Sequence, residues 1–288
     1  MEKVIRIALP NKGVLCQPAL DMLAKAGFAS LDKPTDTLCA RCEDARVEYL
    51  FVRAQDVPKY VESGAAYAGI TGLDMLSETS CKERQVLDLG FGECAIALAV
   101  PEASHAKSVK DLAGKRIATK LPNTARVYLR QKGVNATLLE LSGATEIAPG
   151  AKLADAVIDH VQTGRTLAAN RLRKIGIIAS SSAYLVASRK KEKEAEEVLQ
   201  ELGLSLAGVK NARGLKYLLL NVPSEKALNA VLKVLPSMES PTVLKLAKQG
   251  EWNVHTVIKS SQLATVARKV KLAGGKDLLV MPLEKVIP

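Results

Sequence analysis

The sequence predicts an α/β protein: a two-lobed body of the solute-binding type, followed by a ferredoxin-like module. Three observations carry this. Short apolar runs alternate with amphipathic stretches over roughly the first two thirds of the chain. Breaks such as Pro10-Asn11-Lys12-Gly13 and Thr71-Gly72 punctuate them. Beyond about position 208 the order becomes βαββαβ.

Taken in order, Val4 to Leu9 predicts a strand, and a helix follows to Lys25 with Gly27 as its stop. Val47 to Val52 predicts a strand, Val57 to Glu62 a helix, Ala66 to Ile70 a strand, and a helix starts near Leu73. Cys94 to Val100 is a longer apolar strand that ends at Pro101. A second unit follows, with a helical turn at Ser108 to Leu112, a strand at Arg116 to Thr119, a helix at Thr124 to Lys132 and a strand at Ala136 to Leu141. The stretch ADAVIDHVQTGRTL, Ala154 to Leu167, reads as an amphipathic helix with Leu153, Val157 and Val161 inward. Lys174 to Ala187 reads as one long strand that crosses back to the first unit. Lys190/Glu194 and Lys193/Glu197 make Arg189 to Leu202 a solvated boundary helix. In the last module the strands are Leu215 to Val222, Val243 to Leu246, Val254 to Lys259 and Asp277 to Met281. Its helices are Ser224 to Leu235, capped by Ser224, and Gln262 to Leu272. The expected division is lobe I over 1–100 with a chain return at about 180–207, lobe II over 101–179, and the module over 208–288.

Composition narrows the function classes. The 288 residues are 48% hydrophobic and only 3% aromatic, so a surface that stacks bases is not expected. The formal charge is +11, but 13 Lys or Arg against 5 Asp or Glu fall after position 207. The charge therefore says nothing of an anionic substrate in the first two units. No apolar run is long enough to span a bilayer, and MEKVIRIALP lacks the features of a signal peptide, so a cytoplasmic protein is expected. Five cysteines, with a lone Cys39-Ala-Arg-Cys42 pair and no second ligand pair, read as reduced thiols.

The chemistry concentrates in loops that follow strands. Asp155 and Asp159, four apart on a helix, repel each other; they are either solvated or share a sugar hydroxyl and a cation bound through water. Thr163-Gly164-Arg165-Thr166 follows them, and a new helix near Leu167 would offer free N–H groups to a phosphate. Lys12 stands in the loop after the first strand, as a phosphate partner or a plain surface residue. Gly72 and Asp74 follow another strand, Asp74 as a helix cap or as an acceptor for a base or sugar; Arg53 ends a strand nearby. His105, His160 and His255 are scattered, and neither a nucleophile elbow nor a metal-binding His pair appears, which disfavours hydrolysis.

Five stretches together resemble the ATP phosphoribosyltransferase family in its long form. They are IALPNKG (Ile7 to Gly13), AGITGLD (Ala68 to Asp74), LGFGECAIALAVP (Leu89 to Pro101), ADAVIDHVQTGRTL, and LPSMESPT (Leu235 to Thr242). The resemblance implies transfer of phosphoribosyl from phosphoribosyl pyrophosphate to N1 of ATP, with Mg2+, as the first step of histidine biosynthesis. It implies that Thr163 to Thr166 cradle the ribose phosphate, that Asp155 and Asp159 flank ribose and metal, and that Lys12 faces the diphosphate. Arg53 and Asp74 would lie on the nucleotide side. The last module would bind histidine as a feedback inhibitor, through Asn221, Met238 and Thr242, and favour a homo-oligomer, dimer to hexamer. One departure stands out: the family usually follows the NKG with Arg, and this chain has Val14. Two other readings compete, a non-catalytic two-lobed binding protein and a nucleic-acid binder acting through the basic last quarter.

Overall fold

The computed structural model describes residues 4–79, 81–236 and 240–287. The chain divides into two compact units, parted after Gly203. The first unit holds both lobes.

Lobe I begins with β1 (Ile5–Pro10), α1 (Cys16–Ala26), β2 (Cys39–Arg41), β3 (Val47–Val52), α2 (Val57–Glu62), β4 (Ala68–Gly72), α3 (Leu73–Thr79) and β5 (Arg84–Asp88). β1, β3 and β4 pair in parallel at its centre. Such strands are covered on both faces, so they read as near-continuous apolar runs; Ile7, Leu9, Tyr49, Phe51 and Ile70 are fully buried. Lobe II comprises β6 (Cys94–Pro101), β7 (Arg116–Thr119), α4 (Pro122–Gln131), β8 (Thr137–Glu140), β9 (Ala156–Val161), α5 (Arg165–Ala169) and β10 (Leu172–Ser181). Its sheet order is β10-β6-β9-β7-β8, with β7 parallel to β8 and β9, and β6 antiparallel to β9 and β10. The chain then returns through β11 (Ala183–Ala187), which completes the lobe I sheet in the order β2-β3-β1-β4-β11-β5. Both sheets are therefore mixed, because each crossover delivers a strand antiparallel to its neighbours.

Several elements differ from expectation. β6 belongs to lobe II, so the first crossover lies at 89–93 rather than near 100. Lys174 to Ala187 is two strands broken at Ser182, and the break is the second crossover. The two crossovers are hydrogen-bonded side by side: the Ala183 amide donates to the Phe91 carbonyl, and the Leu89 amide to that of Ala183, each at 2.9 Å. The main correction concerns ADAVIDHV, which is the central strand β9 and not a helix. Ala156 and Ile158 pack on one face with Leu98, Ile117 and Leu129, while Val157 packs on the other with Ala99, Ala118 and Leu167. A strand covered on both faces is apolar at every position, which also produces the i, i+4 spacing read as a helix.

The helix α6 (Lys193–Ala212) runs across the unit boundary. Its first half is not merely solvated: Ala195, Val198, Leu199 and Leu202 are buried, and Glu196 pairs with Arg84 and accepts from the Tyr67 hydroxyl.

The second unit continues with β12 (Leu215–Val222), α7 (Glu225–Val234), β13 (Thr242–Lys245), β14 (Trp252–Lys259), α8 (Leu263–Leu272) and β15 (Lys276–Pro282). The antiparallel order β13-β14-β12-β15 is that of a ferredoxin-like sheet. Leu218, Leu220, Val222, Val254 and Ile258 meet Leu228, Val231, Val266 and Val270 in one core. The Ser224 hydroxyl caps α7 by accepting from the Ala227 amide at 3.2 Å. Among the described residues, no helix is long and apolar enough to cross a membrane.

Candidate active site

The carboxyl ends of the parallel strands of both lobes converge on one cleft, where ligands of open α/β sheets bind. Lys12 follows β1, Arg53 follows β3, Asp74 follows β4, Lys120 follows β7, His160 lies next to the end of β9, and Thr163 follows it. Two cavities open there. The first, about 400 Å³, is lined by Lys12, Gly72, Asp74, Lys120, Glu146, His160, Thr163, Gly164 and Thr166, among others. The second, about 1180 Å³, takes in Arg53, Lys59, Glu78, Asn123, Glu140 and Ser142. Lys12, Ala54, Met75, Lys120 and His160 line both.

A charged network forms the floor of the first cavity. Asp159 is 2% exposed, and its carboxylate accepts from Lys120 Nζ at 2.8 Å, the His160 amide at 2.6 Å and the Thr145 hydroxyl. Burial alone would raise its pKa; the donors His160, Lys120 and Thr145 outweigh that and hold it far below the usual carboxylate range. Asp74, in lobe I, lies 2.6 Å from His160 Nε2 and accepts from the Ser181 hydroxyl at 2.5 Å. Its pKa is lowered likewise, since those two bonds outweigh burial. For His160, burial lowers the pKa, but the carboxylates of Asp159 and Asp74 push it up to about 9. The ring is a cation at neutral pH, and with Lys120 it sets two positive charges beside two negative ones in the wall.

That shift has a measurable consequence. A folded-state pKa raised above the ordinary 6.5 gives stability that is complete below pH 6.5 and lost as pH rises through about 9. Relative to the His160→Leu variant, the wild type is expected to lose on the order of 3 kcal/mol between pH 6 and 10. Urea unfolding across that range checks it. A difference that is flat with pH would mean that the ring is neutral.

Gly72 is required by close approach: a Cβ there would run into the Asp74 carboxylate, which His160 and Ser181 hold in place. Gly164 is required by conformation. It has φ +75° and is the residue that turns the chain from β9 into α5. The first amides of that helix have no partner within it, and Thr163, Gly164 and Thr166 line the cavity.

The structure brings together Lys12, Gly72, Asp74, Thr163, Gly164 and Thr166 in the first cavity, with Asp159 directly behind Lys120. Arg53 lies in the second. Asp74 lines the first cavity and not the second. Arg165 is exposed and lines neither. Asp155 is removed from the cleft. It sits before the first residue of β9, about 13 Å along an extended chain from Asp159, and its carboxylate accepts from the Arg116 amide at 2.8 Å. The supposed repulsion with Asp159 was a consequence of the helical reading. In the second unit, Asn221 bonds Asn253 and Asp277, and Thr242 pairs with His255 across the sheet, so both fall on the face opposite the core. Met238 lies outside the described residues. The five cysteines are free, and Cys42 is buried against the Tyr49 hydroxyl.

Lys120, His160, Thr145, Ser181 and Glu146 are additions from the structure. Only Lys120 left a legible sign: Thr119-Lys120-Leu121-Pro122-Asn123 follows a strand much as Leu9-Pro10-Asn11-Lys12 ends one.

This fold and cleft define a class: two-lobed α/β proteins with a cleft between the lobes, here followed by a C-terminal ferredoxin-like domain. A solved substrate-binding protein of an amino acid ABC transporter shares the fold at TM-score 0.50, with 11% identity over 73% of this chain and 94% of that one. The family model for ATP phosphoribosyltransferase matches residues 53–208, and that for the HisG C-terminal domain matches 212–285. The chain is 39% identical to the ATP phosphoribosyltransferase of Methanosarcina barkeri, over 99% of this chain and all of that one. It is 39% identical to the one from Methanopyrus kandleri, over the same shares. The ATP phosphoribosyl transferase (HisG:HisZ) complex from Thermotoga maritima matches at TM-score 0.61, with 28% identity over 70% of this chain and 98% of that chain. The chain belongs to the ATP phosphoribosyltransferase family. It carries out the first step of histidine biosynthesis, transferring the phosphoribosyl group of phosphoribosyl pyrophosphate to N1 of ATP and releasing pyrophosphate.

Proposed function

We propose that phosphoribosyl pyrophosphate occupies the first cavity with its 5-phosphate on the turn Thr163–Thr166, and that ATP occupies the second. The supporting observation is the partition of the walls: the anion-turn lines only the first cavity, Arg53 lines only the second, and Lys12, Lys120 and His160 line both. The anomeric carbon then lies at the shared wall. Adenine N1 brings its own lone pair, so it forms the new bond as the bond to diphosphate breaks, without a general base. Lys12 and Lys120 face the departing oxygens, where fixed positive charge stabilises the transition state more than the ground state. Lys120 supplies a cation on a wall where the family's usual Arg is Val14.

The family's chemistry draws on a divalent cation. The donor set here fits one that arrives on the substrate. Asp74 and Asp159 are already committed to protein partners, and Glu146 is the other carboxylate lining the first cavity. Among the described residues, the grouping Glu62, Cys81 and Glu83 lies outside both cavities. Magnesium suits this arrangement, since it keeps several waters and binds through one or two carboxylates plus substrate phosphates. Glu146 would hold it, and the ion would neutralise the diphosphate. This replaces Asp155 and Asp159 as its holders.

Histidine acting on the C-terminal domain, through the face that carries Asn221 and Thr242, and assembly from dimer to hexamer complete the reading; they rest on the family resemblance. The cytoplasm is the compartment the reading assigns.

Steady-state kinetics of the full chain test it. Arg53→Ala is expected to raise KM for ATP about tenfold and leave that for phosphoribosyl pyrophosphate within twofold. Thr163→Ala should do the reverse, and histidine should lower turnover in both. An Arg53 effect confined to phosphoribosyl pyrophosphate would invert the assignment of the cavities.

A further inference from the structure

Among the described residues, the two lobes touch through polar side chains at two places beside the cleft. At its edge the Glu78 carboxylate of α3 accepts from the Asn123 and Thr124 amides and the Thr124 hydroxyl of α4, each at 2.9 Å; the contact in the floor has its own geometry. His160 is the penultimate residue of β9, three residues before the turn; its Nε2 lies 2.6 Å from Asp74 Oδ2, at the start of α3 in lobe I. The same Asp74 is held by Ser181, the last residue of β10: the hydroxyl donates to Oδ1 at 2.5 Å, and its oxygen accepts from the Asp74 amide at 3.0 Å. Ser181 directly precedes the crossover at Ser182. One carboxylate of lobe I is thus gripped by two strand ends of lobe II, and His160 is itself fixed from behind, its amide donating to Asp159 at 2.6 Å. Asp74 is buried, 8% exposed, while the His160 ring is partly open and lines both cavities.

We propose that His160 is a positioning residue that ties lobe II to lobe I through Asp74 and so sets the distance between the phosphate turn and the Lys12 loop. Any hinge motion that parts the lobes stretches this contact, because Asp74 moves with β4 and His160 with β9. This pair holds the floor of the cleft, and Glu78 on α4 its edge, near the separation at which one substrate reaches both walls, so less binding energy is spent on bringing the walls together. His160 need not touch the reacting atoms. The inference rests on the placement of phosphoribosyl pyrophosphate between the turn and Lys12, and its test separates the two.

The experiment compares wild type, His160→Leu and His160→Gln. Glutamine carries an N–H donor at a reach similar to that of Nε2 but has no charge. Amide hydrogen exchange of the free protein reads the tie, and KM and kcat read its use. In His160→Leu, exchange at the Asp74 amide and across 181–183 is expected to quicken at least tenfold. KM for phosphoribosyl pyrophosphate should rise about tenfold and kcat fall by less than threefold. His160→Gln should recover most of both. Unchanged exchange in a folded His160→Leu protein would overturn the tie. Should that variant not fold, faster exchange in His160→Gln than in wild type supports the tie, and equal exchange with a tenfold higher KM contradicts it. Faster exchange in His160→Leu with unchanged KM would keep the tie and instead overturn the placement of the donor.

Discussion

Replacing Asp159 by alanine is expected to destabilise the protein by about 3 kcal/mol and to lower turnover at least a hundredfold. The carboxylate is buried and accepts from Lys120, Thr145 and the His160 amide. Breaking a buried ion pair by removing one partner costs about 3–5 kcal/mol, because the other charge stays behind without its partner. Lys120 is 37% exposed and can turn to solvent, which places the effect at the lower end. The loss of turnover has a separate origin. Lys120 stands in the wall shared by both cavities, and once Asp159 no longer anchors it, its charge is not aimed at the departing diphosphate. Asp159→Asn keeps an acceptor for the His160 amide and should fall between. Urea unfolding and pyrophosphate release measure the two effects. A variant within 1 kcal/mol of wild type would show that the pair is not a structural anchor.

Replacing Gly164 by valine is expected to raise KM for phosphoribosyl pyrophosphate at least thirtyfold while leaving most of the stability. The added Cβ meets nothing within 4 Å, so there is no clash to unfold the lobe. The penalty is conformational. At φ +75° a β-branched residue is strained by about 1–3 kcal/mol, and relaxing it moves the amides that follow. Those amides are what the turn offers a phosphate. Titration calorimetry with phosphoribosyl pyrophosphate reads this directly. Wild-type affinity would mean that the phosphate lies elsewhere.

Both residues were legible in the sequence, but for unequal reasons. Gly164 stands out in the sequence because a polar turn ahead of a helix suits an anion, and the structure places it in the wall of the first cavity. Asp159 was found through a mistaken secondary structure. In β9 the apolar residues Ala156, Val157 and Ile158 are buried on both faces, and such a run has no period to distinguish it from a buried helix. The error carried Asp155 into the site with it, since a helix would have stacked the two acids and a strand sets them at opposite ends. The crossovers were blurred for a related reason. β10 and β11 are separated by Ser182 alone, and nothing in the local composition says that the chain changes sheets there. The ferredoxin-like unit was read correctly because its antiparallel strands are covered on one face, so they alternate, and Ser224 marks a helix start. His160 left no sign of its role. A histidine in an apolar strand is ordinary, and its significance comes from Asp74, 86 positions away, which only the fold brings within 2.6 Å.

In the proposed arrangement the turn after β9 holds the phosphoribosyl donor while ATP enters from the Arg53 side. The most direct measurement is a crystal structure of the protein with phosphoribosyl pyrophosphate and magnesium. The 5-phosphate is expected on the amides of residues 163–166 and the diphosphate between Lys12 and Lys120, with Arg53 untouched. A 5-phosphate on Arg53 and Lys59, with the turn empty, would contradict that arrangement.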